Sequence, residues 1–209
     1  MPLHTSVKWP IVLLLSVLSF AQPAFGQNDC ELKKEKGDLK VYTCSSADSK
    51  LNILKAELML EDTSFRELLD FVNDIDNYVH WQYNTIEARV LQTRDKSVVF
   101  RTVVDAPWPL SGREMIMEHS ARFDSARQVL EIESRTVSYD YPLDDELIRV
   151  PLSVAKWNVS SLNNSLRIEY TLRIDPGGSV PPWLVNIAMT EGPFNSFIKL
   201  KEALKRKRP

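Results

Sequence analysis

The sequence predicts an α+β domain built on an antiparallel sheet, and three observations carry that prediction. From Thr85 onward the hydrophobic period is two, interrupted at Arg94-Asp95-Lys96 and Asp124-Ser125 by gaps short enough for hairpins. Upstream, Ser64 followed by Glu67 opens a stretch of helical spacing. In the final third, the alternating segment Leu166 to Ile174 runs through Asp175-Pro176-Gly177-Gly178 into one helix that nearly reaches the C-terminus. A strand that feeds a closing helix suits a sheet wrapped around a pocket better than it suits a catalytic centre.

Before this domain stands a segment that reads as an export signal. Lys8 supplies a positive flank, Ile11 to Phe20 form a run of about ten mostly apolar residues, and Ala24-Phe25-Gly26 offers a small-x-small cleavage site. The run is too short to span a bilayer. Export is therefore expected in preference to an uncleaved anchor, and Gln27-Asn28-Asp29 before Cys30 disfavours a lipoprotein. Residues 1–26 are read as signal peptide and 27–209 as one domain, long enough for a sizeable core and short for two. The expected location is the periplasm of a Gram-negative bacterium. A net charge of -2 gives no push towards nucleic acid. Cys30 and Cys44 are the only cysteines, and an oxidising compartment makes them a candidate disulfide that pins the N-terminal segment to the first strand. Two cysteines alone fall short of a metal site.

Taken in order, residues 31–39 are dominated by charge, with Gly37-Asp38 as a turn before a short strand at Leu39 to Cys44. Leu51 to Leu60 is a half-buried strand with Leu54, Ala56, Leu58 and Leu60 on one face. Phe65, Leu68, Leu69, Val72 and Ile75 predict a helix of about twelve residues ending near Asp76-Asn77, followed by an irregular aromatic link from Tyr78 to Tyr83. Strands are expected at Thr85 to Gln92, Ser97 to Val104, Arg113 to Phe123 and Arg127 to Arg135. Tyr139 to Leu147 is a loop, and Ile148 to Ser160 pairs with Leu166 to Ile174. Pro181 and Pro182 suit the first turn of the last helix, which Gly192-Pro193 is expected to kink.

Ala106-Pro107-Trp108-Pro109-Leu110 followed by Arg113-Glu114, the strand with Trp157, and the run Asp175-Pro176-Gly177-Gly178-Ser179-Val180-Pro181-Pro182-Trp183-Leu184-Val185-Asn186 carry a resemblance. Over roughly Lys40 to Leu204, the chain resembles a START-type (StAR-related lipid transfer) domain of the kind found in exported bacterial proteins. The resemblance implies the helix-grip fold, a curved antiparallel sheet of about seven strands around a long C-terminal helix and an apolar tunnel. It also implies non-covalent binding of sterols, phospholipids or other hydrophobic molecules, admitted past the C-terminal helix and nearby loops. Export sets this chain apart from cytosolic members, so their ligands are not carried over.

A pocket for such a ligand needs apolar walls and a few polar groups that fix orientation. Arg113, Met115, Met117, His119, Ala121 and Phe123 share one face of their strand, read as the inner face, which makes Arg113 and His119 the polar groups nearest a ligand. The competing readings are a structural ion pair for Arg113 and a satisfied structural histidine at His119. Arg101 alternates with Val99 and Val103, a pattern that does not decide its burial; Glu57 or Glu87 is its candidate partner. The cavity candidates are thus Arg101, Arg113, Met115, Met117, His119, Trp157, Trp183, Ile187 and Phe194. Lys199, Lys201, Lys205, Arg206, Lys207 and Arg208 form a basic tail, which suits either transient contact with an anionic membrane or a solubilising helix end.

Signals of catalysis are sparse. There is no nucleophile elbow, no Gly-rich phosphate loop and no His-Glu-x-x-His, and of three histidines His4 falls in the signal segment. No catalytic residue, metal or cofactor is assigned. The expectation is a monomer that reversibly encloses a lipid or other hydrophobic small molecule and takes no nucleic acid. A ligand-free protein-interaction module, or a cyclase- or hydrolase-like enzyme using the same pocket, remains the alternative.

Overall fold

The computed structural model describes residues 30–46, 49–106 and 110–206, with the side chains of all but 46, 49, 50, 182–184, 186 and 187. The expected signal segment, the Pro107-Trp108-Pro109 part of the motif, and Lys207 and Arg208 lie outside the described residues.

The chain begins with a hairpin, β1 (Cys30–Lys36) and β2 (Leu39–Ser46), turned at Gly37, whose φ of 62° lies in the left-handed region. Cys30 and Cys44 stand opposite each other in this pair and are disulfide-bonded. β3 (Ser49–Glu61) follows, then α1 (Phe65–Asn73). Its capping box forms: the Glu67 amide donates to Ser64 Oγ at 3.2 Å and the Ser64 amide donates to Glu67 Oε2 at 2.8 Å. Leu68, Phe71 and Val72 are the buried face.

α1 has 9 residues rather than about twelve, because a 3-10 turn at Ile75–Asn77 breaks it. The expected irregular link is in part a helix, α2 (Tyr78–Trp81). Burial of Tyr78 and Trp81 holds this single turn, and the Tyr78 hydroxyl donates back to the Val72 carbonyl at 2.7 Å.

The remaining strands are β4 (Thr85–Thr93), β5 (Ser97–Val104), β6 (Arg113–Asp124), β7 (Val129–Thr136), β8 (Ile148–Arg149), β9 (Leu152–Leu162) and β10 (Ser165–Asp175), and α3 (Pro182–Arg206) closes the fold. The sheet runs β1-β2-β3-β10-β9-β7-β6-β5-β4, antiparallel throughout, with β8 paired in parallel to β6. It has ten strands rather than about seven. The charged segment forms β1, and the expected strand Ile148 to Ser160 divides at Val150-Pro151 into β8 and β9. Asn163 and Asn164, both at positive φ, make the tight turn between β9 and β10.

The sheet curves around α3, with α1 and α2 covering the rest of its inner face. Trp157 of β9, Tyr170 of β10 and Phe197 of α3 meet edge-on, with ring centroids 5.1 to 5.5 Å apart. Phe197, Leu200 and Leu204 anchor the C-terminal half of the helix, each Leu or Phe contributing about 1.5–3 kcal/mol by burial. At the helix entry, Gly177 has φ 67°, and a Cβ there would lie 3.1 Å from Pro151 and 3.2 Å from Ile148, so the turn packs tightly on β8.

Candidate functional site

Between the inner face of the sheet, α2 and the N-terminal half of α3 lies a cavity of about 590 Å³. The alternation of the strands builds its wall. Phe100, Thr102 and Val104 of β5, Arg113, Met115, Met117 and His119 of β6, Ile132 and Ser134 of β7, and Ala155 and Trp157 of β9 all point inward. Val185, Ala188, Met189, Gly192 and Pro193 of α3 form the opposite side. Pro193 cannot donate to the carbonyl of Met189, and a Cβ on Gly192 would meet nothing within 4 Å. Ser196 ties this half of the helix to the α2–β4 link: it accepts from the Tyr83 amide at 2.9 Å and donates to the Gly192 carbonyl at 2.8 Å.

The two polar groups of β6 lie six residues apart, which is about 20 Å along a strand. At the end covered by α1, His119 is 4% exposed. Its Nδ1 is 2.8 Å from Ser134 Oγ and its Nε2 is 3.0 Å from Asn73 Oδ1. Nε2 therefore donates to the amide oxygen, leaving Nδ1 to accept from the serine hydroxyl. Burial pushes its pKa down to about 4. A neutral histidine of such low basicity is a weak general base. The amides of β6 and β7, each flanked by strands on both sides, are committed to the sheet instead of to an oxyanion hole.

At the other end the wall is made by the loops before β6 and after β10. Arg113 donates to the carbonyl of Ser111, and among the described residues it has no carboxylate partner. Burial lowers its pKa. Among the described residues, three buried polar atoms of residues lining the wall lack a hydrogen-bond partner: Trp81 Nε1, Thr85 Oγ1 and Thr102 Oγ1. No sequence pattern marks them, because satisfaction of a donor is decided by tertiary contacts.

Arg101 is not in the cavity wall. The inward positions of β5 are Phe100, Thr102 and Val104, so Arg101 projects from the outer face, where it is 6% exposed. There it binds Glu87 Oε1 and Glu114 Oε1, both at 2.5 Å, while Arg149 binds Glu114 Oε2 at 2.6 Å. Burial works against the Glu114 carboxylate, yet the two guanidiniums hold its pKa below the usual range. Tyr141 covers the cluster, its ring centroid 5.5 Å from Arg101 and 5.9 Å from Arg149. The residues 139–147 that cover this outer face are distant in sequence, which is why alternation on β5 left the burial of Arg101 open.

Phe194 also lies outside the cavity wall, half-buried against the core with Lys34 Nζ 4.9 Å over its ring. It stands two residues from each of the inward residues Gly192 and Ser196, roughly half a turn, which carries it to the other face of the helix. Trp183 and Ile187 belong to α3, but their side chains lie outside the described residues. Ala121 and Phe123 are exposed on the far end of β6, where Phe123 meets Phe65 with ring centroids 5.1 Å apart.

No family model matches the sequence. An uncharacterized protein of Pseudomonas aeruginosa is 25% identical over 198 residues, covering 94% of this chain and 96% of that protein. Human phosphatidylcholine transfer protein is 26% identical over 188 residues, covering 85% of this chain and 84% of that protein. Among solved structures, a STAR-related lipid transfer protein from Xanthomonas axonopodis superposes with a TM-score of 0.76 at 22% identity, covering 84% of this chain and 98% of that one. The Zhui aromatase/cyclase from Streptomyces shares the fold more distantly, with a TM-score of 0.56 at 12% identity. With its curved antiparallel sheet gripping a C-terminal helix, the chain is a START-type domain in fold, and its sequence likeness to phosphatidylcholine transfer protein runs through most of its length.

Proposed function

We propose that this chain reversibly binds a lipid or similarly apolar molecule in its internal cavity without covalent chemistry. The observation that carries the reading is the cavity of about 590 Å³ between the sheet and α3, walled chiefly by aliphatic and aromatic residues. Its size falls in the range of small-molecule sites. Each Å² of apolar ligand surface taken from water there contributes about 25 cal/mol before the costs of association. Two relatives bear the names of lipid transfer proteins, which supports the same class of ligand. The aromatase/cyclase shows that this fold also hosts catalysis. The weakly basic His119 and its committed surroundings favour binding over chemistry.

The Cys30–Cys44 disulfide and the N-terminal segment support export to an oxidising compartment as part of this proposal. No helix among the described residues is long and apolar enough to cross a membrane. The exposed Lys199, Lys205 and Arg206 remain candidates for contact with an anionic surface, but Arg206 sits about 36 Å along the helix from Pro182. We place ligand entry instead at the loop-walled end beside Arg113.

The test is native mass spectrometry of the protein purified from cells, with solvent extraction of anything released, in the wild type and in Gly192→Leu. The leucine fills cavity space while improving helix propensity by roughly 1 kcal/mol, so lost uptake is not lost folding. A stoichiometric hydrophobic species in the wild type, absent from the variant, is the expected result. An empty protein that refuses a broad lipid panel sinks the reading and leaves an interaction module.

A further inference from the structure

Among the described residues, two of the three unpartnered groups of the cavity wall, Thr85 and Thr102, stand at the Arg113 end, while the ring of Trp81 lies against Phe71 and Tyr78. Pairing across the sheet places Thr85 of β4 opposite Val104 of β5, and Val104 opposite Arg113 of β6, in a single row. Thr102 lies one inward position further along β5, opposite Met115. Trp81 ends the short helix that leads into β4. Thr85, Thr102 and Trp81 are each at least nine-tenths buried, and buried polar atoms are ordinarily paired. Arg113 has five N–H donors, of which the Ser111 carbonyl takes one. The carboxylates of the wall are otherwise occupied: Asp105 accepts from the Ala106 amide at 3.0 Å, and Glu191 is bound by Lys34 and by Asn195. The far end shows the opposite condition, since both nitrogens of His119 are already bonded.

The cavity of about 590 Å³ takes at least one long acyl chain.

We propose that the ligand is an amphiphile with an anionic, oxygen-rich headgroup, a carboxylate or a phosphate monoester, seated at Arg113, Thr85 and Thr102. Its chain runs along Met115 and Met117 towards His119. The inference rests on the binding reading above and adds the class of ligand. A headgroup of acceptor oxygens supplies what a guanidinium and two hydroxyls require, and a cation there would meet Arg113.

The experiment is a matched titration of the intact protein, followed by tryptophan fluorescence, with palmitate, hexadecyl phosphate, hexadecanol, hexadecylphosphocholine and dipalmitoyl phosphatidic acid. Palmitate or hexadecyl phosphate, whichever source the headgroup reflects, is expected to bind at least about 10-fold more tightly than hexadecanol or the phosphocholine. Arg113→Gln should weaken that anion by about 10- to 100-fold and leave hexadecanol within about 2-fold, while Thr102→Val should weaken it by roughly 5-fold. Because Arg113 has no ion pair to lose among the described residues, its variant is expected to keep the wild-type thermal midpoint, which confirms that it folds. Equal affinity for hexadecanol and the anions, a preference that survives Arg113→Gln, or equal affinity for the phosphocholine overturns the headgroup assignment. Dipalmitoyl phosphatidic acid, where it binds, is expected to lose affinity on Arg113→Gln as hexadecyl phosphate does, and insensitivity to that change overturns the headgroup assignment. Failure of every amphiphile, hexadecanol included, overturns the binding reading itself.

Discussion

Acidification should destabilise this protein, and one side chain has a share that can be isolated. His119 titrates near 6.5 when unfolded and near 4 when folded, because burial disfavours the imidazolium. Between these values the unfolded chain binds more protons than the folded one, so stability is full above the unfolded pKa and falls as pH drops towards the folded one. Each pKa unit is worth 1.36 kcal/mol, which makes the loss attributable to His119 about 2 kcal/mol at pH 5 and about 3 kcal/mol at pH 4. Carboxylates titrate in the same window, and comparison with His119→Gln removes their share. Glutamine offers an N–H to Asn73 Oδ1 and an oxygen to the Ser134 hydroxyl, the two roles the imidazole fills. Urea unfolding at pH 7, 6, 5 and 4 should show the wild-type curve falling away from the variant's by about 3 kcal/mol across the series. Parallel curves would refute the assignment of a buried neutral imidazole.

Two further outcomes concern the rest of the fold. Glu114→Ala should cost about 3–5 kcal/mol in urea unfolding, since it strands the Arg101 and Arg149 guanidiniums under Tyr141. It should also hasten proteolysis between residues 139 and 147, whose carbonyls at Tyr141 and Pro142 accept from Arg149 at 3.1 and 2.9 Å. Reduction of Cys30–Cys44, with a sequence separation of 14, should lower stability by about 3 kcal/mol and speed hydrogen exchange first in β1 and β2; exchange that speeds equally everywhere would contradict a local role.

Local rules made much of this architecture legible. The Ser64/Glu67 cap starts α1, and alternation alone sorts Arg113, Met115, Met117 and His119 to one face of β6, where all four line the cavity. What stayed hidden depends on distant partners. β1 has no hydrophobic period to betray it and exists through its ladder with β2 and its disulfide. Arg101 is buried by a loop some forty residues onward, and the separation of Phe194 from the cavity depends on how α3 is rotated against the sheet. The unpartnered hydroxyls of Thr85 and Thr102 become visible only once every neighbouring donor and acceptor has been placed.

The sheet order has a consequence for solubility. A path that runs from β1 to β4 without closing leaves two edges, each a row of backbone groups on which a second chain can add a strand. The charged composition of β1 gives this edge its protection: Glu31, Lys33, Lys34, Glu35 and Lys36 offer an incoming strand a lattice of charges to desolvate. At the opposite edge β4 breaks register twice, between Thr85 and Glu87 and between Val90 and Gln92, so it presents no straight template. Neutralising Lys33 and Lys36 would leave the core intact and still open this edge to strand addition by a second chain.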